Sequence, residues 1–192
     1  LTRLNGIRIL IDIGHPGELH HYRHFAAALE EKGWQALFVV KDKDVVLSLV
    51  KEYGLPCSVL AVNRGGLFRN VLQLPAVLYR FYHIFRRFNP DMVVSEGSLH
   101  CSWVCALARV PHVVFTDTEP SRWLDTTTFT RPIVKAKLTP SSYYRQLGRD
   151  HFRYPGNHEL AYLHPRRFTA QEKIRTELGL TPGESYVMVR LV

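Results

Sequence analysis

The stretch ILIDIGHPGELHHYRHF, Ile9–Phe25, decides how the rest of the chain reads. Together with Ile7 and Arg8, the run to Ile13 is β-branched and nearly continuous, the pattern of a parallel strand covered on both faces. Gly14, Pro16 and Gly17 break it. From there Leu19, Tyr22, Phe25, Ala26 and Leu29 recur at three- and four-residue spacing, which predicts an amphipathic helix stopped at Gly33. A buried strand that passes through a short Gly/Pro turn into a helix is how a parallel α/β sheet begins.

The alternation continues along the chain. QALFVV (35–40) reads as a second strand, Val45–Tyr53 as a second helix and CSVLAV (57–62) as a third strand. A long helix over Leu67–Phe88 follows, which Pro75 is expected to kink or divide. DMVVS (91–95) is a fourth strand, residues 98–110 a helix and HVVFT (112–116) a fifth strand. The predicted fold is a three-layer, Rossmann-like, doubly wound and mostly parallel sheet. Residues 122–140 read as loop and short helix, and YPGNHELAYLHPRRF (154–168) as an aperiodic connector. A helix over 169–178 and a strand over SYVMVRLV (185–192) complete the pattern. The expected organisation is one domain over 1–154, a connector over 155–168, and the start of a second α/β unit over 169–192.

The composition, 46% hydrophobic and 22% charged over 192 residues, can bury a core and excludes a disordered chain. A formal charge of +8 points to anionic partners. Three cysteines (Cys57, Cys101, Cys105) argue against a disulfide framework and for a reducing compartment. No run of about 18 apolar residues is present, and no apolar signal segment precedes Gly14, so a cytoplasmic protein is expected. Between Tyr53 and Pro90 there is no acidic residue, but there are five arginines: Arg64, Arg69, Arg80, Arg86 and Arg87. A wide apolar stripe beside this basic face would suit an anionic membrane surface at 64–87. Packing on the sheet accounts for most of the same stripe.

Ligands of open parallel sheets sit beyond the carboxyl ends of the strands. That rule selects the loops 14–18, 63–66, 96–98 and 117–121. The candidate binding residues are Gly14, Pro16, Gly17, Arg64, Gly65, Gly66, Glu96, Gly97, Ser98 and Thr118. Neither a G-x-G-x-x-G dinucleotide fingerprint, a Walker A loop nor a G-x-S-x-G elbow is present. His15, at the start of the first helix, is either a general base kept neutral by the helix dipole or a capping residue. Asp117 and Glu119 are candidates to bind sugar hydroxyls, to orient His15, or to act as acid and base. His20 and His24 lie four apart, but helical phase turns them toward solvent, with His21 at the boundary. Cys101 and Cys105, one turn apart beside His100, read as buried thiols. No metal site is expected.

Four segments resemble one family: IDIGHPGELHHYRHFAAALEEKGW (11–34), PDMVVSEGS (90–98), PHVVFTDTEPS (111–121) and, most specifically, YPGNHELAYLHPRRF. They are similar to the prokaryotic family known as domain of unknown function 354, related in fold to GT-B glycosyltransferases and UDP-N-acetylglucosamine 2-epimerase. Asn157, where an aromatic is expected, and Pro75 depart from it. The resemblance implies two Rossmann-like domains, of which this chain holds the N-terminal, acceptor-side one. It adds His158 and Glu159 of the connector to the substrate-binding candidates. The implied activity is metal-independent sugar transfer with His15 as base, from a nucleotide sugar (a UDP-sugar) to an anionic or lipid-linked acceptor, with no other cofactor. The alternatives are a UDP-sugar 2-epimerase, using Asp117 and Glu119, and a non-enzymatic basic module on a membrane. Nucleic acid is not an expected partner, for no recognition motif is present. Nothing in the sequence indicates an oligomeric state.

Overall fold

The computed structural model describes residues 6–42, 45–62, 67–118, 134–166, 168–181 and 183–189, and of 61–62, 67–72 and 172 the backbone alone. The elements in chain order are β1 (Arg8–Ile13), α1 (Pro16–Glu30), β2 (Gln35–Asp42), α2 (Val46–Glu52), β3 (Cys57–Val62), α3 (Leu67–Phe88), β4 (Met92–Ser95), α4 (Leu99–Ala108), β5 (His112–Phe115), β6 (Val134–Pro140), β7 (His151–Tyr154), α5 (Leu160–Leu163) and α6 (Glu172–Glu177). The seven strands form one sheet in the order β3-β2-β1-β4-β5-β6-β7. Every pairing is parallel.

β1 explains why one strand can organise both layers. Its odd residues Ile9, Ile11 and Ile13 pack with Leu19, Tyr22, Ala26 and Leu29 of α1 and with Val46 and Val50 of α2. On the other face Leu10 joins Val39, Val93, Phe81 and Phe85 of α3, and Cys101, Val104 and Cys105 of α4. A period of two along the strand therefore meets helices on both sides. Each fully buried side chain of this size contributes about 1.5–3 kcal/mol. Truncating Phe38, which has no exposed surface, would cost about 3–5 kcal/mol.

Three features differ from the sequence expectation. α3 spans the expected Leu67–Phe88, but Pro75 lies inside it without dividing it. Residues 134–140 form a strand rather than loop and helix, and 151–154 add a further strand at the sheet edge. The buried Lys137 disguised the first of these; its ammonium donates to the Leu147 carbonyl at 2.9 Å, so a charge sits where a core residue was sought. The strand expected over 185–192 is not formed among its described residues 185–189, and Tyr186, Val187, Met188 and Val189 are exposed. Among the described residues no helix is long and apolar enough to cross a membrane.

Candidate active site

Strand order reverses at β1, which pairs with β2 on one side and β4 on the other. The carboxyl ends of β1 and β4 therefore flank the crevice in which such sheets bind ligands. Two loops meet there, 14–15 and 96–98.

The first loop is held by its own side chains. His15 is the N-cap of α1, and its Nδ1 accepts the Gly17 N–H at 3.1 Å. This satisfies one of the free N–H groups of the first turn. His15 is exposed and its capping nitrogen is occupied. The Gly14 N–H donates to Glu18 Oε2 at 2.7 Å. Burial, and then the charge of Glu96, push the Glu18 carboxyl up to about 9.

The second loop rests on a buried polar network. Ser95 Oγ accepts the N–H groups of Gly97 (3.2 Å) and Ser98 (3.3 Å). A hydroxyl has two acceptor lone pairs and one proton, so Ser95 donates that proton to His112 Nε2, 2.8 Å away. The His112 proton is then on Nδ1, facing Ser102 Oγ at 3.4 Å. His112 is fully buried, and burial lowers it to about 4, which keeps the ring neutral. Asp12 accepts from Ser98 Oγ and pairs with His100 Nε2 at 2.9 Å. Burial alone would raise its pKa, but the His100 charge and these hydrogen bonds outweigh it and lower the carboxyl. Gly97 has φ 86, a conformation that favours glycine, in the turn that follows Glu96.

Glu96 then meets residues from α1 and the connector. Glu96 Oε1 lies 3.1 Å from His21 Nε2 and 3.8 Å from His158 Nδ1. His158 Nδ1 lies 3.5 Å from Asp117 Oδ2. His158 is 9% exposed, and burial outweighs the carboxylates around it, so its pKa falls below the usual histidine value. The ring stacks on Tyr154 at 5.9 Å and 13°, and meets His21 at 5.0 Å. Beside the cluster is a cavity of about 330 Å³ walled by Tyr22, Phe25, Phe115, Tyr154 and Ala161. A larger cavity, about 810 Å³, lies at the opposite, amino-terminal end of the strands against Trp34, Gln35, Pro56 and Phe88. The strand-end rule and the convergence of ionisable groups favour the smaller one.

The structure thus brings Glu96, Asp117 and His158 together. His15 is instead engaged in capping α1, and Pro16 and Gly17 serve the first turn of that helix. Thr118 Oγ1 donates to Asp117 Oδ1 at 2.9 Å. Glu159 is exposed at the start of α5. Arg64, Gly65, Gly66 and Glu119 lie outside the described residues. His20 is not the solvent-facing residue that helical phase suggested; Tyr53 Oη is 3.2 Å from its Nδ1 and the Tyr162 ring is 5.5 Å away. Phe25, placed on the buried stripe, is 37% exposed and lines the cavity. Cys101 and Cys105 are buried thiols. Sequence reasoning missed Asp12, Glu18, Ser95, His100 and His112. Asp12 carried a signal, as the one acidic residue in the central strand β1 and a charge inside its apolar run. Of the basic face, Arg80, Arg86 and Arg87 are exposed on α3.

No family model matches the chain, and no curated protein does; the likeness to domain of unknown function 354 stays one of motifs. Solved structures do match. A UDP-N-acetylglucosamine 2-epimerase from Rickettsia bellii superposes with a TM-score of 0.66 at 13% identity, over 92% of this chain and 52% of that one. Anabaena HepE, in complex with UDP and glucose, gives 0.62 at 14%, over 90% and 50%. MurG from Acinetobacter baumannii gives 0.61 at 12%, over 79% and 45%. At these identities the likeness establishes the fold, a Rossmann-like α/β unit of the GT-B kind. The chain spans about half the length of these structures.

Proposed function

We propose that this chain is the acceptor-side half of a GT-B-type glycosyltransferase using a nucleotide sugar. The observation that carries this is the convergence of Glu96, His21, His158 and Asp117 at the switch point, with contacts of 3.1, 3.8 and 3.5 Å. Enzymes and ligand complexes of this fold that handle UDP or UDP-sugars support the class of substrate. In the proposed step an acceptor hydroxyl oxygen bonds to the anomeric carbon while the bond to the nucleotide's phosphate oxygen breaks. The nucleoside diphosphate leaves with the bonding electrons, and the hydroxyl proton passes to Asp117 Oδ2. Asp117 is suited to this because its side chain is 42% exposed, whereas those of Glu96 and His158 are 22% and 8% exposed. Thr118 fixes its other oxygen. His15 keeps the loop in shape as a cap instead of acting as the base. The exposed arginines of α3 would hold an anionic or lipid-linked acceptor at the cytoplasmic face of a membrane.

The test is product analysis of the full-length protein with a panel of UDP-sugars and acceptors. Acceptor-dependent release of UDP with a new glycoside is the expected outcome; no turnover of any nucleotide sugar would refute the assignment. A second reading, 2-epimerisation, is favoured by one observation. Glu18, held protonated beside Glu96, supplies an acid next to a potential base, as elimination and re-addition require. UDP-N-acetylglucosamine incubated without acceptor separates the two, since only this second reading yields epimerised sugar.

A further inference from the structure

The described residues contain two groups whose donor atoms could surround a metal ion, Asp12–His100–Cys101 and His21–Glu96–His158. The first is already satisfied. Both Asp12 oxygens are bonded, one to His100 and one to Ser98. Burial, together with Asp12, holds the Cys101 thiol far above its usual pKa, so it stays a thiol and not the thiolate a metal needs.

The second group is different. His21 Nε2 and Glu96 Oε1 are 3.1 Å apart, yet both are buried atoms without an aligned hydrogen bond. Buried polar atoms are nearly always paired, and here two stand together, each aimed at the space that His158 Nδ1 also faces. A tetrahedral ion with bonds of about 2.0–2.1 Å places its ligands about 3.3 Å from one another. The observed separations are 3.1 Å and 3.8 Å, and all three donor atoms fall within 4.8 Å of one another. Two imidazoles and one carboxylate, drawn from α1, the β4–α4 loop and the connector, form the donor set of zinc sites that keep a fourth position open.

We propose that His21 Nε2, Glu96 Oε1 and His158 Nδ1 bind one zinc ion, its open position facing Asp117. This replaces the expectation of a metal-free site and goes beyond the proposed transfer reaction. A hydroxyl in the fourth position would be acidified by the ion, and Asp117 would take its proton. Ligation also gives the connector a structural reason to fold back onto α1, since His158 comes from the connector and His21 from the helix.

The test is a titration of the chelator-treated chain with Zn²⁺, followed by calorimetry, and with Co²⁺, followed by its visible tetrahedral spectrum. One ion per chain is expected. His158→Ala and His21→Ala should each weaken binding by at least about 100-fold, beyond the 10–100-fold typical of an outer partner. Glu96→Gln, closest in shape, guards against loss through misfolding, and Cys101→Ala should leave affinity unchanged. No stoichiometric ion, or affinity unmoved in the histidine variants and in Glu96→Gln, overturns the site. Loss of binding in Cys101→Ala alone assigns the ion to the other cluster and overturns it equally. The two proposals fail separately: an ion bound without sugar transfer refutes the reaction, and transfer by protein holding no ion refutes the metal site.

Discussion

Glu18→Gln is the perturbation whose size the structure sets most closely. The carboxyl lies under the β1–α1 turn, accepts the Gly14 N–H at 2.7 Å, and has its pKa raised from 4.5 to about 9, chiefly by burial and then by Glu96. Glutamine keeps the shape and the accepting oxygen but cannot ionise. In the unfolded chain Glu18 is ionised at pH 7; in the folded one it is protonated. The folded state binds the extra proton, so the contribution of Glu18 to native stability is greatest below 4.5, declines as pH rises toward about 9, and is level above it. Each pH unit is worth about 1.36 kcal/mol, which puts the upper limit of the penalty near 3 kcal/mol at pH 7. Glu96 shares part of that effect, so Glu18→Gln should stabilise the chain by about 1–3 kcal/mol at pH 7 and by almost nothing at pH 4. Urea denaturation of both proteins from pH 4 to 9 measures it. A stability difference that stays constant with pH, or destabilisation by glutamine at neutral pH, would refute the argument that Glu18 is buried and protonated.

Other expectations concern the loops and the basic face. His112, neutral and lowered to about 4 by burial, should make stability fall as pH drops from 6.5 to about 4, by up to about 3 kcal/mol. His112→Asn should flatten that acid limb in the same denaturation series. Ser95→Ala leaves the N–H groups of Gly97 and Ser98 and the Nε2 of His112 without their Ser95 partner, and should cost about 1–3 kcal/mol in thermal unfolding. Changing Arg80 and Arg87 to Glu should abolish flotation with anionic vesicles; undiminished flotation would remove α3 as the membrane-facing element.

Much of this molecule was legible because period and composition agree in its first half. β1, the helix after it, and the strands and helices through β5 follow apolar runs of the right length between Gly/Pro turns. β6 and β7 were not legible for physical reasons. β6 carries Lys135 and Lys137, the second buried and satisfied by a carbonyl that only the folded chain supplies. β7 is four residues at the sheet edge, with Phe152 exposed and Arg153 reaching back to the Tyr143 and Arg145 carbonyls. The strand-end rule named Glu96 and Asp117 and the motif at the connector named His158, three residues that the structure brings together. The partners of those groups were hidden because they come together only in three dimensions. Asp12 and His100 are 88 positions apart, and His21 meets Glu96 only because α1 and the β4–α4 loop flank one crevice. Helical phase gave His21 as a boundary residue, and a boundary position is where a side chain can turn from solvent into the cleft.

The most direct test of the central claim compares kcat/KM for nucleotide-sugar turnover in the full-length protein with Asp117→Asn and with His15→Ala. The account predicts a loss of at least about 100-fold for Asp117→Asn, while His15→Ala lowers thermal stability by about 1 kcal/mol and leaves turnover within a few-fold. Turnover abolished by His15→Ala and unaffected by Asp117→Asn would contradict it.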